Sequence, residues 1–192
     1  MEFDYFNYKS NNKVKKGSII FSQPLMKDKN FYRSVILICE HNDGGSLGYK
    51  LNEKIASINI QTSLDKLIID NLYNGGPVDH NYLNFIHNFD GVVGDKLAID
   101  NNLFLGGDID NVIYLSKKKH EILKFKFFLG YSGWEPKQLE DEINDNSWIV
   151  INEYDSDFIF KDINERFWSK FLSKNGGKNK IFSNYPSDPS LN

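Results

Sequence analysis

Cysteine is nearly absent: Cys39 stands alone in 192 residues, so no disulfide can form within the chain, which fits a reducing compartment. Long apolar runs are missing too, and none approaches the roughly 18 residues that would cross a bilayer as a helix. The first sixteen residues mix Asp4, Asn7, Asn11 and Asn12 with aromatics and lysines. They lack the apolar run and small-residue cleavage site of a secretory signal. These absences lead to the expectation of a cytoplasmic protein that neither spans nor binds a membrane. Positive charge is also not in excess. Lys and Arg number 23 against 26 Asp and Glu, a net charge of -3, whereas a duplex-binding domain concentrates a basic surface. Lys117, Lys118 and Lys119 are the nearest thing to a basic patch, and lysines closing a helix also suit its negative dipole end.

What is present is apolar and aromatic. Hydrophobic residues make up 40% of the chain, with 15 Phe and 10 Tyr, enough for the core of one domain. Residues 1–16 show no sustained period and read as an N-terminal arm, with a single domain over 17–192. Ser34 to Glu40 is apolar on both alternating faces, as a central strand covered on each side must be. Asn42-Asp43-Gly44-Gly45 then supplies a hairpin turn, with Leu47 to Asn52 returning. Ser63 can cap a short helix carrying Leu64, Leu67 and Ile68. Strand patterns follow at Asn71 to Tyr73 and at Tyr82 to His87. Asp108 reads as the N-cap of a helix to about Lys118. Lys124 to Leu129 alternates as a half-buried strand, with Lys124 and Lys126 on the solvent side. Pro136 fits the first position of a helix to about Asn144, before a buried strand from Trp148 to Ile151. Asp162 with Glu165 opens a last helix carrying Phe167, Trp168, Phe171 and Leu172, stopped by Gly176-Gly177. Gly-Gly pairs beginning at 44, 75 and 106 recur at a fixed interval, but their flanks do not repeat, so no solenoid is implied.

Several short blocks, taken in order, form a recognisable set. They are Gly17-Ser18-Ile19-Ile20 with Pro24, Phe31 to Val35 leading to Glu40-His41, Gly45-Ser46-Leu47-Gly48 to Leu51-Asn52, and Gly75-Gly76-Pro77-Val78. Leu103 to Asp108, Gly130-Tyr131-Ser132-Gly133-Trp134 with Gln138-Leu139-Glu140, and Trp148 complete it. In order and spacing the chain resembles the YqgE/AlgH family of bacterial proteins from about Gly17 to Asn192. Lys29, Tyr49-Lys50 and Lys137 depart from that pattern, the last beside the loop before Gln138. The resemblance implies an α+β fold in which a branched, mostly antiparallel β-sheet closes into a pseudo-barrel flanked by helices. It implies no activity: the association with transcriptional regulation is a name attached to one branch and carries no active-site residues.

Chemical signatures are sparse. No His-x-x-x-His or Cys-x-x-Cys pair joins His41, His80, His87 and His120 into a metal site. Asp108-Ile109-Asp110 begins like a calcium loop but lacks its glycine. Gly130-Tyr131-Ser132-Gly133 misses a serine nucleophile elbow by one residue. Neither dinucleotide nor P-loop glycine patterns occur, so no cofactor is expected. His87, beside Phe85 on an apolar face, reads first as a hydrogen-bonded core histidine. Arg33 and His41 are placed by strand alternation on one face, at opposite ends of the central strand. The Gly130 to Glu140 block is the candidate site: Trp134 offers a flat apolar surface, Gln138 a polar anchor, and a helix beginning at Pro136 would present free N–H groups to an anion. The competing reading is that Trp134 plugs the core and Gln138 caps the turn. The candidate ligand-binding residues are thus Arg33, His87, Ser132, Trp134 and Gln138. The function expected is a binding or regulatory protein acting through a protein partner or small ligand. The alternative is a hydrolase-like enzyme with a cleft near Arg33, His87 and the loop.

Overall fold

The computed structural model describes residues 12–23, 26–55, 65–91, 94–118, 123–161 and 167–174. Within them lie nine strands: β1 (Ile19–Ser22), β2 (Val35–Asn42), β3 (Gly45–Lys50), β4 (Leu72–Asn74), β5 (Val78–His87), β6 (Lys96–Asp100), β7 (Leu103–Gly106), β8 (Phe125–Trp134) and β9 (Trp148–Ile151). The helices are α1 (Lys66–Asp70), α2 (Ile109–Lys118), α3 (Gln138–Asn144) and α4 (Phe167–Lys174). The strands form one sheet in the order β6-β7-β5-β8-β3-β2-β1-β9, with β4 branching from β8. Every pairing is antiparallel except β4 on β8. The sheet curls into a half-barrel that brings its far end back to its start. Lys16 donates from Nζ to the Ala98 carbonyl of β6, and Gly17 lies against Ile99. This is the α+β branched sheet that the resemblance implies.

Apolar faces decide the layering. The concave core collects Val35, Leu37 and Cys39 of β2 with Phe21, Tyr49, Phe128 and Trp168. The alternate residues Ile36 and Ile38 pack outward with Trp134, Leu139, Trp148 and Val150, on the side that α3 covers. Central strand β2 is therefore buried on both faces, and Cys39 is fully enclosed. Burial pushes its thiol well above the ordinary value, and the Glu40 carboxylate adds to the shift. A third cluster joins Ile68 of α1 and Val112 of α2 to Phe85 and Phe127.

Strand β8 holds the halves of the sheet together. Its first part pairs with β4 and β5, and its end, Ser132 to Trp134, pairs with β3. Between the two parts lies Gly130, with φ of 69°, a left-handed conformation that glycine adopts without the Cβ penalty. Beside it Gly76 lies so close to β8 that a Cβ would overlap the Tyr131 carbonyl and the Ser132 nitrogen.

Several expectations change. The strand expected to end at Leu129 continues to Trp134. Lys126 is buried, because β8 is covered on both faces: Phe127 lies in the cluster with Val112, while Phe128 lies in the concave core. The Lys126 ammonium donates to the Leu51 carbonyl and sits 4.3 Å from the Tyr73 ring centroid, contacts that offset the cost of taking it out of water. The first helix is capped by Asp65, which accepts from the Leu67 N–H. Ser63 and Leu64 lie outside the described residues, as do residues 1–11, Pro24, Lys119, His120, the Asp162 to Glu165 cap, Gly176-Gly177 and the side chains of Phe167, Phe171 and Leu172. Residues 12–16 of the arm lie on the domain: Val14 packs under the α3 side and Asn12 donates to the Val150 carbonyl.

Candidate functional site

The β2–β3 hairpin carries a register irregularity between Ile38 and Glu40. An extra residue in one strand bends it and changes which side later residues face. Beyond this point Glu40 and Asn42, with Gly44 to Leu47, line a cleft of about 380 Å³ whose other wall is Val78, Tyr131, Gly133, Trp134, Glu135 and Gln138. The lining holds two carboxylates, Glu40 and Glu135, and no Lys or Arg. Asn42 is engaged in its own turn, accepting from the Gly44 N–H.

Behind the cleft, the β8–α3 turn is held by a chain of hydrogen bonds. Gln138 Oε1 accepts the Glu135 N–H at 2.9 Å, and its Nε2 donates to Glu142 Oε1 at 2.9 Å. Glu142 Oε2 accepts both indole N–H groups, from Trp134 at 3.0 Å and Trp148 at 2.7 Å. Phe31 stacks on Trp134 at 6.0 Å, and Trp148 meets Trp134 edge-on at 5.8 Å. Trp134 is only 5% exposed, so most of its ring is spent in the core.

A second depression of about 450 Å³ is lined by Asn12, Lys13, Val14, His41, Glu140, Ile143 and Asn144. His41 and Ser46 face each other across β2 and β3, with Nδ1 and the Ser46 hydroxyl 2.8 Å apart. His41 Nε2 is 3.8 Å from Glu140 Oε1 of α3.

The sequence candidates are dispersed. Trp134 and Gln138 meet at the cleft. Ser132, two positions before Trp134, is fully buried and donates to the Gly75 carbonyl at 3.1 Å. Arg33 sits before the opposite end of β2, with its guanidinium 5.2 Å from the Trp168 ring, more than about 20 Å along the strand from the cleft. The chain at Arg33 is left-handed, with φ of 51°, and its side chain meets the concave-core Trp168 whereas His41 turns to α3. Strand alternation therefore misplaces this pair. His87 is fully buried: Nδ1 accepts the Phe89 N–H and Nε2 donates to the Gly106 carbonyl. Burial holds its pKa below the ordinary value and nearby Lys96 lowers it further, against the opposing Gly106 hydrogen bond. The anion reading of the turn also changes. Helix α3 begins at Gln138, Lys137 before it is left-handed with φ of 67°, and no side chain caps it. Carboxylates rather than cations line the adjoining cleft. Sequence reasoning missed Glu142, and the pairing of His41 with Ser46 and Glu140. The spacing of Gln138 and Glu142, one helical turn apart, was the available signal for the first.

Asp108 caps α2 by accepting the N–H groups of Asp110 and Asn111. Among the described residues no group of three or more His, Cys, Asp and Glu is placed to hold a metal ion.

Comparison with known proteins shows what the chain as a whole is similar to. A family described as AlgH-like matches residues 19–180. The chain is 39% identical to a UPF0301 protein of Cytophaga hutchinsonii over 92% of its own length and 98% of the relative's. It is 37% identical to a UPF0301 protein of Bacteroides fragilis, over 98% and 97%. Two solved structures share the fold. A crystal structure of a Corynebacterium diphtheriae protein superposes with a TM-score of 0.76 at 22% identity, covering 96% of this chain and 100% of that one. The solution structure of the AlgH protein from Pseudomonas aeruginosa gives 0.67 at 24%, covering 93% and 98%.

Proposed function

The chain belongs to the AlgH-like family, and we propose that it is a cytoplasmic binding or regulatory protein acting through a small ligand held in the cleft between the β2–β3 hairpin and the β8–α3 turn. The observation that carries this reading is the cleft itself: a concavity of about 380 Å³ lined by Tyr131, Trp134, Glu40 and Glu135 without a cation. Concave sites with an aromatic wall and a few convergent polar groups are where small ligands bind. Carboxylates beside aromatic rings favour a ligand that is neutral or carries a cationic group. No helix among the described residues is long and apolar enough to cross a membrane. With a net charge of -3, a regulatory role would run through this ligand or a protein partner rather than through direct contact with nucleic acid.

The test is affinity purification from native cytosol, with mass spectrometry of the small molecules retained. The expected result is an uncharged or amine-bearing compound held by the wild type and lost from Glu40→Gln and Glu135→Gln variants of unchanged melting temperature. Retention of the same compound by both variants, or of an anionic compound alone, overturns the reading.

A further inference from the structure

We infer that Ser46, His41 and Glu140 form a nucleophile, a base and a positioning carboxylate that cleave a small uncharged or cationic carboxylic ester bound in the cleft. The inference rests on the reading that a ligand enters there. Cross-strand register sets His41 directly opposite Ser46, so the 2.8 Å approach of Nδ1 to the hydroxyl is fixed by the backbone of two paired strands. Sites built on strands hold such geometry better than sites on loops. Helix α3 then places Glu140 Oε1 3.8 Å from the other ring nitrogen. A base in hydrogen-bond reach of a hydroxyl, itself oriented by a third group, is the arrangement that activates a serine. Here Nδ1 faces the serine and Nε2 the carboxylate. Either nitrogen of a neutral imidazole can accept the proton if the other carries the N–H.

Access supports the assignment. Ser46 lines the carboxylate-bearing cleft but is 8% exposed, so a reacting carbonyl must come from that side. His41 and Glu140 line the second depression, and the water of the second half-reaction must reach the acyl carbonyl from the cleft, on the Nδ1 side of the ring. In the first half-reaction Ser46 Oγ attacks the ester carbonyl and its proton passes to His41 Nδ1. The tetrahedral adduct collapses, the C–O bond to the alcohol breaks, and the departing oxygen takes the proton back from His41. The acyl-Ser46 that remains is cleaved by water, whose proton follows the same route. The balance is ester plus water giving acid plus alcohol, with no co-reactant. Glu140 stabilises the imidazolium that forms in each half. Glu40 and Glu135 disfavour substrates that carry a carboxylate near the scissile bond.

The experiment treats the full-length chain with a fluorescent organophosphonate fluoride, which forms a P–O bond to an activated serine and releases fluoride, and locates the label by peptide mass spectrometry. The expected result is stoichiometric label on Ser46, abolished in Ser46→Ala and slowed about 100-fold or more in His41→Asn, the scale of a lost general base. Glu140→Gln is expected to slow labelling and Glu140→Asp to restore part of the rate. In nitrogen-15 histidine spectra, the His41 proton should sit on Nε2 in the wild type and be shared between tautomers in Glu140→Gln. Absence of label on the wild-type protein, label persisting in Ser46→Ala, or a His41 tautomer indifferent to Glu140 overturns the inference. A protein that retains a cleft ligand yet leaves Ser46 unlabelled defeats this inference alone. One that is labelled at Ser46 but retains no ligand defeats the binding reading alone.

Discussion

His87 and Glu142 are both held by partners inside the fold, yet they answer to different perturbations. His87 is neutral because the Phe89 N–H occupies Nδ1 and burial disfavours the imidazolium. Its folded pKa lies below the ordinary 6.5, so between those two values the unfolded chain binds the extra proton. Stability is then complete above that ordinary value and falls as pH drops through it, with a slope of at most about 1.4 kcal/mol per pH unit from this group. Thermal melts from pH 7 to about pH 5, above the main carboxylate range, should show that loss, and His87→Gln should flatten it. An unchanged slope in the variant removes His87 as the cause. Asp65, held below its ordinary carboxylate value first by its hydrogen bond with Lys117, acts only at lower pH. Glu142 is a matter of satisfied donors. Glu142→Ala would strand the indole N–H groups of Trp134 and Trp148, at about 1–3 kcal/mol for each one left buried without a partner. Gln138→Ala, which loses exposed bonds, should cost about 1 kcal/mol or less. Urea titrations of the two variants should therefore separate, and equal midpoints would mean that water replaces Glu142 freely.

At the scale of elements, β8 is the piece on which both the fold and the site depend. Gly76 packs backbone on backbone against Tyr131 and Ser132, where β8 leaves β5 and joins β3. Gly76→Ala would force that crossing apart. The expected result is a loss of about 2 kcal/mol or more, as strain plus overpacking, with disturbed signals from Trp134 at the end of the strand. A variant as stable as the wild type would mean that the two backbones can part at little cost. How much of this could be read in the sequence follows from the same distinction between local and long-range causes. Central strand β2 was legible because both of its faces are apolar, and Asp108 because an N-cap is a local device. The hairpin turn at Asn42 to Gly45 was legible for the same reason. Lys126 was not, because a lysine in an alternating run reads as solvent-facing until the second layer over it is known. The continuation of β8 through Gly130 and Gly133 was hidden because glycines there read as a loop. At the cleft, Trp134 and Gln138 were legible from a dense local motif. Ser46 with His41 depended on cross-strand register, and Glu140 on how α3 docks, neither of which a single sequence displays.

For the whole molecule, charge decides which partners are open to it. The chain carries 26 acidic against 23 basic side chains, and several lysines are already committed. Lys126 is buried on the Leu51 carbonyl, Lys50 is buried with Glu53 and the Asn30 carbonyl, Lys117 pairs with Asp65, and Lys124 with Asp157. Duplex binding draws its affinity from lysines and arginines that displace counterions from phosphates, so the buried Lys50 and Lys126 are withdrawn from that role. The cleft at the hairpin bears Glu40 and Glu135 and would repel a phosphate backbone. Fluorescence anisotropy against a random-sequence duplex should therefore give no binding tighter than about micromolar at physiological salt, and lowering the salt should strengthen it only weakly. A submicromolar constant that falls steeply with added salt would mean that a basic surface forms elsewhere in the chain or on assembly. The protein would then have to be read as acting on nucleic acid directly.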